Sequence, residues 1–204
     1  REHESRALAL NRSAHGMESE QAIESMNGLV NVMHRRGENE GALPIAREAT
    51  DLASRTRGEE DPLTLDARTR LATVLYGLGE FDESEREFRR VIAGWERAAP
   101  NDPTKPLTAL NNLSTLLGDQ GRYEEAIEIT ERLVRVRRDA LGVRHPQTLA
   151  SMNNLALALK RSGRLDEAEP LYREMLAGRR EALGETHPET LAAMNNLAVL
   201  LLDR

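Results

Sequence analysis

Apolar residues recur every three or four positions along much of the chain, which is the spacing of an α-helix with one buried face. One run contains Leu149, Met152, Leu155, Ala156 and Leu159, and a second contains Ala168, Leu171, Tyr172, Met175 and Leu176. Gly163 separates the two runs, and Gly184 follows the second. Glycine commonly closes a helix because it adopts backbone conformations that other residues avoid. The pattern therefore predicts two helices joined by a short turn, a helical hairpin.

The hairpin is repeated with a period of 42 residues. The stretch HPQTLASMNNLALAL, which begins at His145, returns as HPETLAAMNNLAVLL from His187, with 11 of 15 positions unchanged. The same step connects Gly37, Gly79, Gly121 and Gly163, and it also connects Asn27, Thr69, Asn111, Asn153 and Asn195. A fixed period of this length is the signature of a stacked helical array.

On this frame residues 1–204 form a single array with repeats at residues 17–58, 59–100, 101–142 and 143–184. Residues 1–16 align with a second helix, and residues 185–204 align with a first helix. Pairs of His or Asp with Pro are expected to open the first helices, because proline suits the first helical turn. In the third repeat this pair is Asp102–Pro103, but the entry has one residue more than its siblings and further prolines at Pro100 and Pro106, so the standard entrance is expected to be replaced there. Asp166 is expected to cap the second helix of the fourth repeat.

The series Leu155, Ala156, Leu159, Gly163, Ala168 and Tyr172 resembles the tetratricopeptide repeat pattern. The period and the consensus HPxTLxxMNNLAxxL…GRxxEAExLYRxxL are similar to the longer variety found in kinesin light chains and many bacterial proteins. This resemblance covers essentially the whole chain. It implies an all-α fold, a right-handed α-α superhelical solenoid of helix-turn-helix repeats, whose first helices line a concave groove. It also implies a module that binds a partner protein or an extended peptide.

Polar side chains recur at the positions that this resemblance assigns to the groove. Asparagine is a mediocre helix former, so its recurrence inside helices calls for a reason. Its carboxamide offers a donor and an acceptor, which suits the backbone of an extended peptide. The candidate groove residues are Asn27, Asn31, Arg35, Thr69, Arg70, Asn111, Asn112, Asn153, Asn154, Lys160, Arg161, Asn195 and Asn196.

The asparagines have a second interpretation, in which their side chains bond neighbouring repeats together. For the first residue of each pair neither interpretation is favoured over the other. For the second residue, at positions 112, 154 and 196, contact with a ligand is favoured.

Arg35, Arg70, Lys160 and Arg161 together form a candidate basic floor in an otherwise acidic protein. Such a floor suits an acidic ligand or a free C-terminus through charge-assisted hydrogen bonds. The alternative is that each is an ordinary solvated charge.

Composition excludes several classes of function. The net charge is −6 with both signs mixed along the chain, which argues against binding to nucleic acid. The chain has no cysteine for thiol chemistry or Cys-based zinc sites, and no apolar run approaches the length of a membrane span. No metalloprotease, phosphate-loop or Ser-His-Asp motif is present. The sequence therefore predicts a cytoplasmic protein that is not an enzyme and that needs no cofactor or metal.

A first helix without its second helix is expected to leave apolar residues uncovered. Leu197, Leu200 or Leu201 is expected to be partly uncovered, and end-to-end self-association is expected through these residues. The alternative function is accordingly a structural, self-assembly or sensor array within a larger bacterial signalling protein.

Overall fold

The computed structural model describes residues 19–203, and in these residues the chain forms nine α-helices and no β-strand. The helices are α1 (Glu20–Arg35), α2 (Asn39–Arg57), α3 (Pro62–Gly77), α4 (Phe81–Ala98), α5 (Leu107–Asp119), α6 (Tyr123–Leu141), α7 (Pro146–Arg161), α8 (Leu165–Leu183) and α9 (Pro188–Leu202). The helix expected within residues 1–16 lies outside the described residues. The predicted all-α class of helix-turn-helix repeats is confirmed.

Three first helices, α3, α7 and α9, begin at the proline of their His-Pro or Asp-Pro pair, as predicted. The residue before each proline accepts a hydrogen bond from a backbone N–H two positions later, which satisfies one free donor of the first turn. These bonds join Asp61 to Leu63 at 2.9 Å, His145 to Gln147 at 3.2 Å and His187 to Glu189 at 3.2 Å. Histidine therefore caps α7 and α9 through Nδ1, and aspartate caps α3.

The entrance of the third repeat differs from the standard one, as expected, and Asp102–Pro103 does not open a helix, contrary to the prediction for such pairs. Residues 99–106 contain turns and no helix, and α5 begins only at Leu107. The carboxylate of Asp102 instead accepts a hydrogen bond from the backbone N–H of Thr104 at 3.0 Å. This short Asx-type bond competes with helix formation at that point.

Asp166 is not a helix cap, contrary to the prediction. The helix α8 begins at Leu165, and the cap position is occupied by Arg164, whose side chain makes no capping bond. Asp166 therefore lies in the first turn, where a negative charge is favourable near the positive end of the helix dipole.

Gly58, Gly142 and Gly184 end the second helices α2, α6 and α8. Their φ angles are 93°, 89° and 86° and their ψ angles are 165°, 158° and 166°. This conformation is open essentially to glycine alone, which explains why these positions recur as glycine. The second helix of the second repeat, α4, ends differently, at Ala98 with Ala99 in the cap position.

The described residues divide into two compact units at the boundary between Ala109 and Leu110, within α5. In unit 1, α1 packs against α2 and α3, α2 packs against α3, and α3 packs against α4. In unit 2, α6 packs against α7, α7 against α8, and α8 against α9. Each of α3 and α7 is thus in contact with the second helix that precedes it and with the one that follows.

Small residues allow the two helices of a hairpin to approach closely. Ala156 and Ala168 are completely buried between α7 and α8. In unit 2, Leu149 of α7 packs directly on the backbone of α8 at Gly178, where an added Cβ would lie 2.9 Å from Cδ2 of the leucine. The equivalent contact in unit 1 joins Leu65 to Gly94. The same packing device therefore recurs in both units.

Candidate functional site

All candidate groove residues lie on first helices. In unit 1, α1 carries Asn27, Asn31 and Arg35, and α3 carries Thr69 and Arg70. In unit 2, α5 carries Asn111 and Asn112, α7 carries Asn153, Asn154, Lys160 and Arg161, and α9 carries Asn195 and Asn196. The set in unit 2 includes two residues that line a cleft, Asn154 and Arg161.

The cleft of unit 2 lies where α5, α6 and α7 meet, and it has a volume of about 160 Å³. An apolar protein cavity of roughly 150 Å³ accommodates a benzene molecule, so the cleft has room for one amino-acid side chain. Its walls combine apolar surface with hydroxyl, carboxamide and charged groups. The lining residues are Ser114, Thr115, Gly118, Asp119, Tyr123, Ala126, Thr130, Asn154, Leu157, Ala158 and Arg161.

Gly118 provides part of the space in this cleft. A Cβ atom added at this position would have no neighbour within 4 Å. The equivalent positions of the other repeats all carry long side chains, namely His34, Tyr76, Lys160 and Leu202. Glycine inside a helix is unfavourable by roughly 0.5–1 kcal/mol relative to alanine. The third repeat therefore has a helix-weakening residue at the position where it enlarges a cleft.

The carboxamide of Asn154 is half-buried in the cleft and has no hydrogen-bond partner among the described residues. Its equivalent in the next repeat, Asn196, donates to the side-chain oxygen of Asn153 at 3.0 Å. The corresponding partner for Asn154 would be Asn111, whose amide instead lies 3.4 Å from the oxygen of Asn112. Within the described residues, neither the donor nor the acceptor of the Asn154 side chain is therefore used in a hydrogen bond.

Arg161 stands at the edge of the cleft, exposed, and forms no ion pair within residues 19–203. Burial raises the pKa of the Tyr172 hydroxyl, and the nearby positive charge of Arg161 opposes this rise. The neighbouring Lys160 is engaged, since its Nζ lies 2.8 Å from a carboxylate oxygen of Asp203. Arg161 is therefore the cation of α7 that remains able to pair with an anionic ligand.

The candidate residues of α3 and the buried asparagine of α1 are engaged within unit 1. Asn27 is only 3% exposed, and its amide lies 3.4 Å from the carboxylate of Asp66. Asp66 also pairs with Arg70 at 3.1 Å. The hydroxyl of Thr69 donates to the carbonyl of Leu65 in its own helix at 2.7 Å.

The expected basic floor is thus reduced, because Arg70, like Lys160, already has a carboxylate partner. The two remaining candidates of α1, Asn31 and Arg35, are exposed.

Of the three leucines named for α9, Leu201 is uncovered, whereas Leu197 and Leu200 are buried. Leu197 and Leu200 are only 9% and 1% exposed, because they lie on the stripe of α9 that faces the apolar core of unit 2. Leu201 is exposed as expected, and so are Leu191 and Leu202 on the remaining surface of the helix.

Sequence reasoning missed the wall of the cleft that lies outside the asparagine positions. Ser114 and Tyr123 line the cleft but belong to no recurring polar pattern, and Asp119 occupies the repeat position of the candidates Arg35 and Arg161 without having been recognised. Gly118 was the available signal, because it is the only small residue at its position among the repeats.

Neither a metal site nor a membrane span is found in the described residues. No group of three or more His, Asp or Glu side chains is arranged to hold a metal ion within residues 19–203. Over the same residues, no helix combines the length and the apolar character that crossing a membrane requires.

Comparison with known proteins supports the resemblance seen in the sequence. The tetratricopeptide repeat family model matches residues 21–97, 106–181 and 152–204. A similar crystal structure is that of the putative kinesin light chain of P. anserina, which has nearly identical TPR-like repeats. The two structures give a TM-score of 0.75 with 22% identity, covering 89% of this chain and 86% of that chain. No match is found among curated proteins.

Two further crystal structures share the fold. BtubC (BKLC) from P. vanneervenii gives a TM-score of 0.83 with 19% identity, covering 98% of this chain and 80% of that chain. Aspartyl phosphate phosphatase F from Bacillus subtilis gives 0.70 with 16% identity, covering 87% of this chain and 44% of that chain. At these identities the likeness concerns the fold alone, and it confirms the predicted helical-repeat solenoid.

Proposed function

Because the chain belongs to the tetratricopeptide repeat family, whose repeats generally form protein-interaction modules, we propose that it is a non-catalytic module that binds an extended peptide segment of a partner protein. The cleft of unit 2 takes one side chain of that peptide. One observation carries the proposal: the unpartnered carboxamide of Asn154 and the unpaired guanidinium of Arg161 border the same cleft in the described part of the chain. Polar groups left free beside a cleft are characteristic of ligand sites.

Each group in the cleft has a distinct part in recognition. The carboxamide of Asn154 bonds the peptide backbone, which allows affinity without a strict sequence requirement. Arg161 pairs with a carboxylate of the ligand, so acidic peptides are preferred. The space next to Gly118 accepts an apolar side chain near that carboxylate.

The cleft alone provides only part of a useful affinity. A neutral hydrogen bond contributes about 0.5–1.5 kcal/mol and a charge-assisted one about 1.5–3 kcal/mol. Burial of one apolar side chain contributes about 1.5–3 kcal/mol. The total of about 3.5–7.5 kcal/mol is below the roughly 8 kcal/mol of a micromolar complex. Further contacts along the first helices are therefore needed, and Asn195, exposed on α9, is available for them.

This function is tested by selecting peptides that bind the wild-type chain from a random-sequence library displayed on phage. We expect enriched peptides to carry Asp or Glu near an apolar residue. Their affinity should fall by about tenfold in Arg161→Ala, the loss expected for one charge-assisted hydrogen bond. Arg173→Ala is the matched control, because Arg173 is an exposed arginine that pairs with Glu169 of its own helix. Equal affinity of Arg161→Ala and wild type would contradict the assignment of the site.

A second candidate function is self-assembly, and it is favoured by the exposed apolar residues Leu191, Leu201 and Leu202 on α9. Exposed apolar surface of this kind promotes association. The double substitution Leu191→Gln and Leu202→Gln should then lower the average mass measured by sedimentation over a range of concentrations. A wild-type chain that stays monomeric throughout that range would exclude this candidate.

A further inference from the structure

The second repeat contains a buried ion pair where the other repeats have apolar side chains. Arg68 of α3 donates from Nη1 to Oε2 of Glu87 on α4 at 2.7 Å, and these side chains are only 11% and 8% exposed. The residues equivalent to Arg68 are Met26, Leu110, Met152 and Met194, and those equivalent to Glu87 in the described repeats are Ile45, Ile129 and Leu171. The two charges therefore replace a pair of apolar residues in one repeat.

A buried ion pair is weak evidence for stability, because the desolvation of its charges offsets their attraction. The pair also reaches beyond its own hairpin. The second amino group of Arg68 lies 3.3 Å from Oγ of Ser54 on α2, and it also pairs with Glu59 in the turn that follows α2. Burial lowers the pKa of Arg68, but the bonds and charges of Glu87 and Glu59 outweigh this and keep the pKa raised. Arg68 thus joins the second repeat to the helix packed before it.

The equivalent junction in unit 2 has its arginine on the opposite side, on the preceding second helix. Arg138 of α6 places Nη2 at 3.7 Å from Sδ of Met152 on α7 and at 2.6 Å from Oε2 of Glu174 on α8. These three residues stand two repeat lengths after Ser54, Arg68 and Arg90. One junction therefore has a serine against Arg68, with Arg90 bonded to Glu87 in the same repeat, whereas the other has an arginine against a methionine and a glutamate.

We propose that these complementary sets select which second helix packs against each first helix. A helix with the α6 sequence packed against α3 and α4 would bring Arg138 close to Arg68 and Arg90, where three arginines would compete for the carboxylate of Glu87. The α2 sequence packed against α7 would leave a void next to Met152, because serine is much shorter than arginine. Repeats that resemble one another closely are liable to pair out of order or between copies. Unfavourable contacts with wrong neighbours are an effective source of such specificity.

A cycle of substitutions in the full chain tests this selection. Ser54→Arg is introduced into the wild type and into Arg68→Met/Glu87→Leu/Arg90→Glu, which gives α3 and α4 the residues of α7 and α8. The urea unfolding midpoint of all four proteins is measured. In the wild-type background we expect Ser54→Arg to lower the folding equilibrium constant by about tenfold, because it removes the bond between Arg68 and Ser54 and adds a third arginine at a junction whose carboxylates are already paired. In the exchanged background, where the new arginine meets methionine and glutamate, we expect no loss.

The comparison remains decisive even if single variants are poorly stable, since it depends on the difference between two backgrounds. Selection of the neighbour requires Ser54→Arg to be harmful only opposite Arg68 and Arg90. An equal shift of the midpoint in both backgrounds would overturn the proposal. So would a folded Arg68→Met/Glu87→Leu/Arg90→Glu variant that no longer folds once Ser54→Arg is added.

Discussion

The side-chain amide of Asn196 donates a hydrogen bond to the side-chain oxygen of Asn153, 3.0 Å away on the preceding first helix. The recurring asparagines therefore act, at this junction, as a link between successive repeats. At the preceding junction the equivalent link is missing, and Asn154 has a free carboxamide beside a cleft in the described part of the chain. The same residue type thus occupies two different environments within unit 2, and this difference leads to the first prediction.

Asn196→Ala and Asn154→Ala are expected to differ in stability. Both changes gain helix propensity, since alanine is the better helix former. Only Asn196→Ala breaks a side-chain bond, and it leaves the half-buried oxygen of Asn153 unpaired. We expect it to be less stable than Asn154→Ala by about 1 kcal/mol in urea unfolding. Equal stability of the two variants would contradict a linking role for Asn196.

Two glycine substitutions should have opposite effects on stability. Gly118→Ala adds a Cβ into open space and improves helix propensity, so the free energy of unfolding should rise by up to about 1 kcal/mol. Gly178→Ala adds a Cβ that would lie 2.9 Å from Cδ2 of Leu149, and displacement of that leucine should outweigh the gain. Thermal unfolding followed by circular dichroism distinguishes them. A stabilised Gly178→Ala would show that Leu149 has room to move.

His145→Asp should stabilise the chain. His145 caps α7 with a 3.2 Å bond from the N–H of Gln147 to Nδ1, whereas Asp61 caps α3 with a bond of 2.9 Å. Aspartate is among the preferred capping residues, and its charge interacts favourably with the helix dipole. We expect a gain of about 0.5–1 kcal/mol in the free energy of unfolding. His145→Ala is the control and should be less stable than wild type.

The ion pair between Arg47 of α2 and Glu83 of α4 should make a pH-dependent contribution to stability. The guanidinium donates two hydrogen bonds of 2.7 and 2.8 Å, and these lower the pKa of Glu83 against the opposing effect of its partial burial. A carboxyl group with a lowered pKa stabilises the folded state above its normal pKa of about 4.3 and loses that contribution as the pH falls.

Glu83→Gln should therefore lower the free energy of unfolding near neutral pH. Because the pair is partly exposed to solvent, the loss should be less than about 1 kcal/mol. The difference from wild type should shrink as the pH falls below the normal glutamate pKa of about 4.3, where the unfolded chain binds a proton at Glu83, and should vanish below the lowered pKa of Glu83 in the folded state. Urea unfolding at several pH values measures this. A difference that is constant with pH would assign the effect to packing rather than charge.

The helical architecture was predictable from the sequence because it depends on local signals that every repeat contains. The apolar period, the glycines and the prolines fix most helices, and Ala156 and Ala168 mark their close contact. The start of α5 was not predictable from Asp102–Pro103, since the bond from Thr104 to Asp102 competes with the helical turn. Repetition alone does not reveal such local competition.

The candidate site was predictable only in part. The positions of Asn154 and Arg161 follow from the repeat, but the engagement of Arg70 by Asp66 and of Lys160 by Asp203 depends on the side-chain pairs that the fold brings together. The cleft itself depends on the absence of a side chain at Gly118, which a search for functional groups overlooks. Comparison of each repeat with its siblings, position by position, would have found both Gly118 and the charged pair Arg68 and Glu87.

The most direct test of the central claim is the affinity of a phage-selected peptide for Gly118→Tyr, measured by fluorescence anisotropy. Tyrosine is the residue that the second repeat carries at this position, as Tyr76, so the helix tolerates it. Thermal unfolding should confirm that the variant is folded. If the cleft takes a ligand side chain, filling it should weaken binding by more than about tenfold, since that side chain contributes at least about 1.5 kcal/mol. A folded Gly118→Tyr variant that binds as tightly as wild type would contradict the assignment of the cleft.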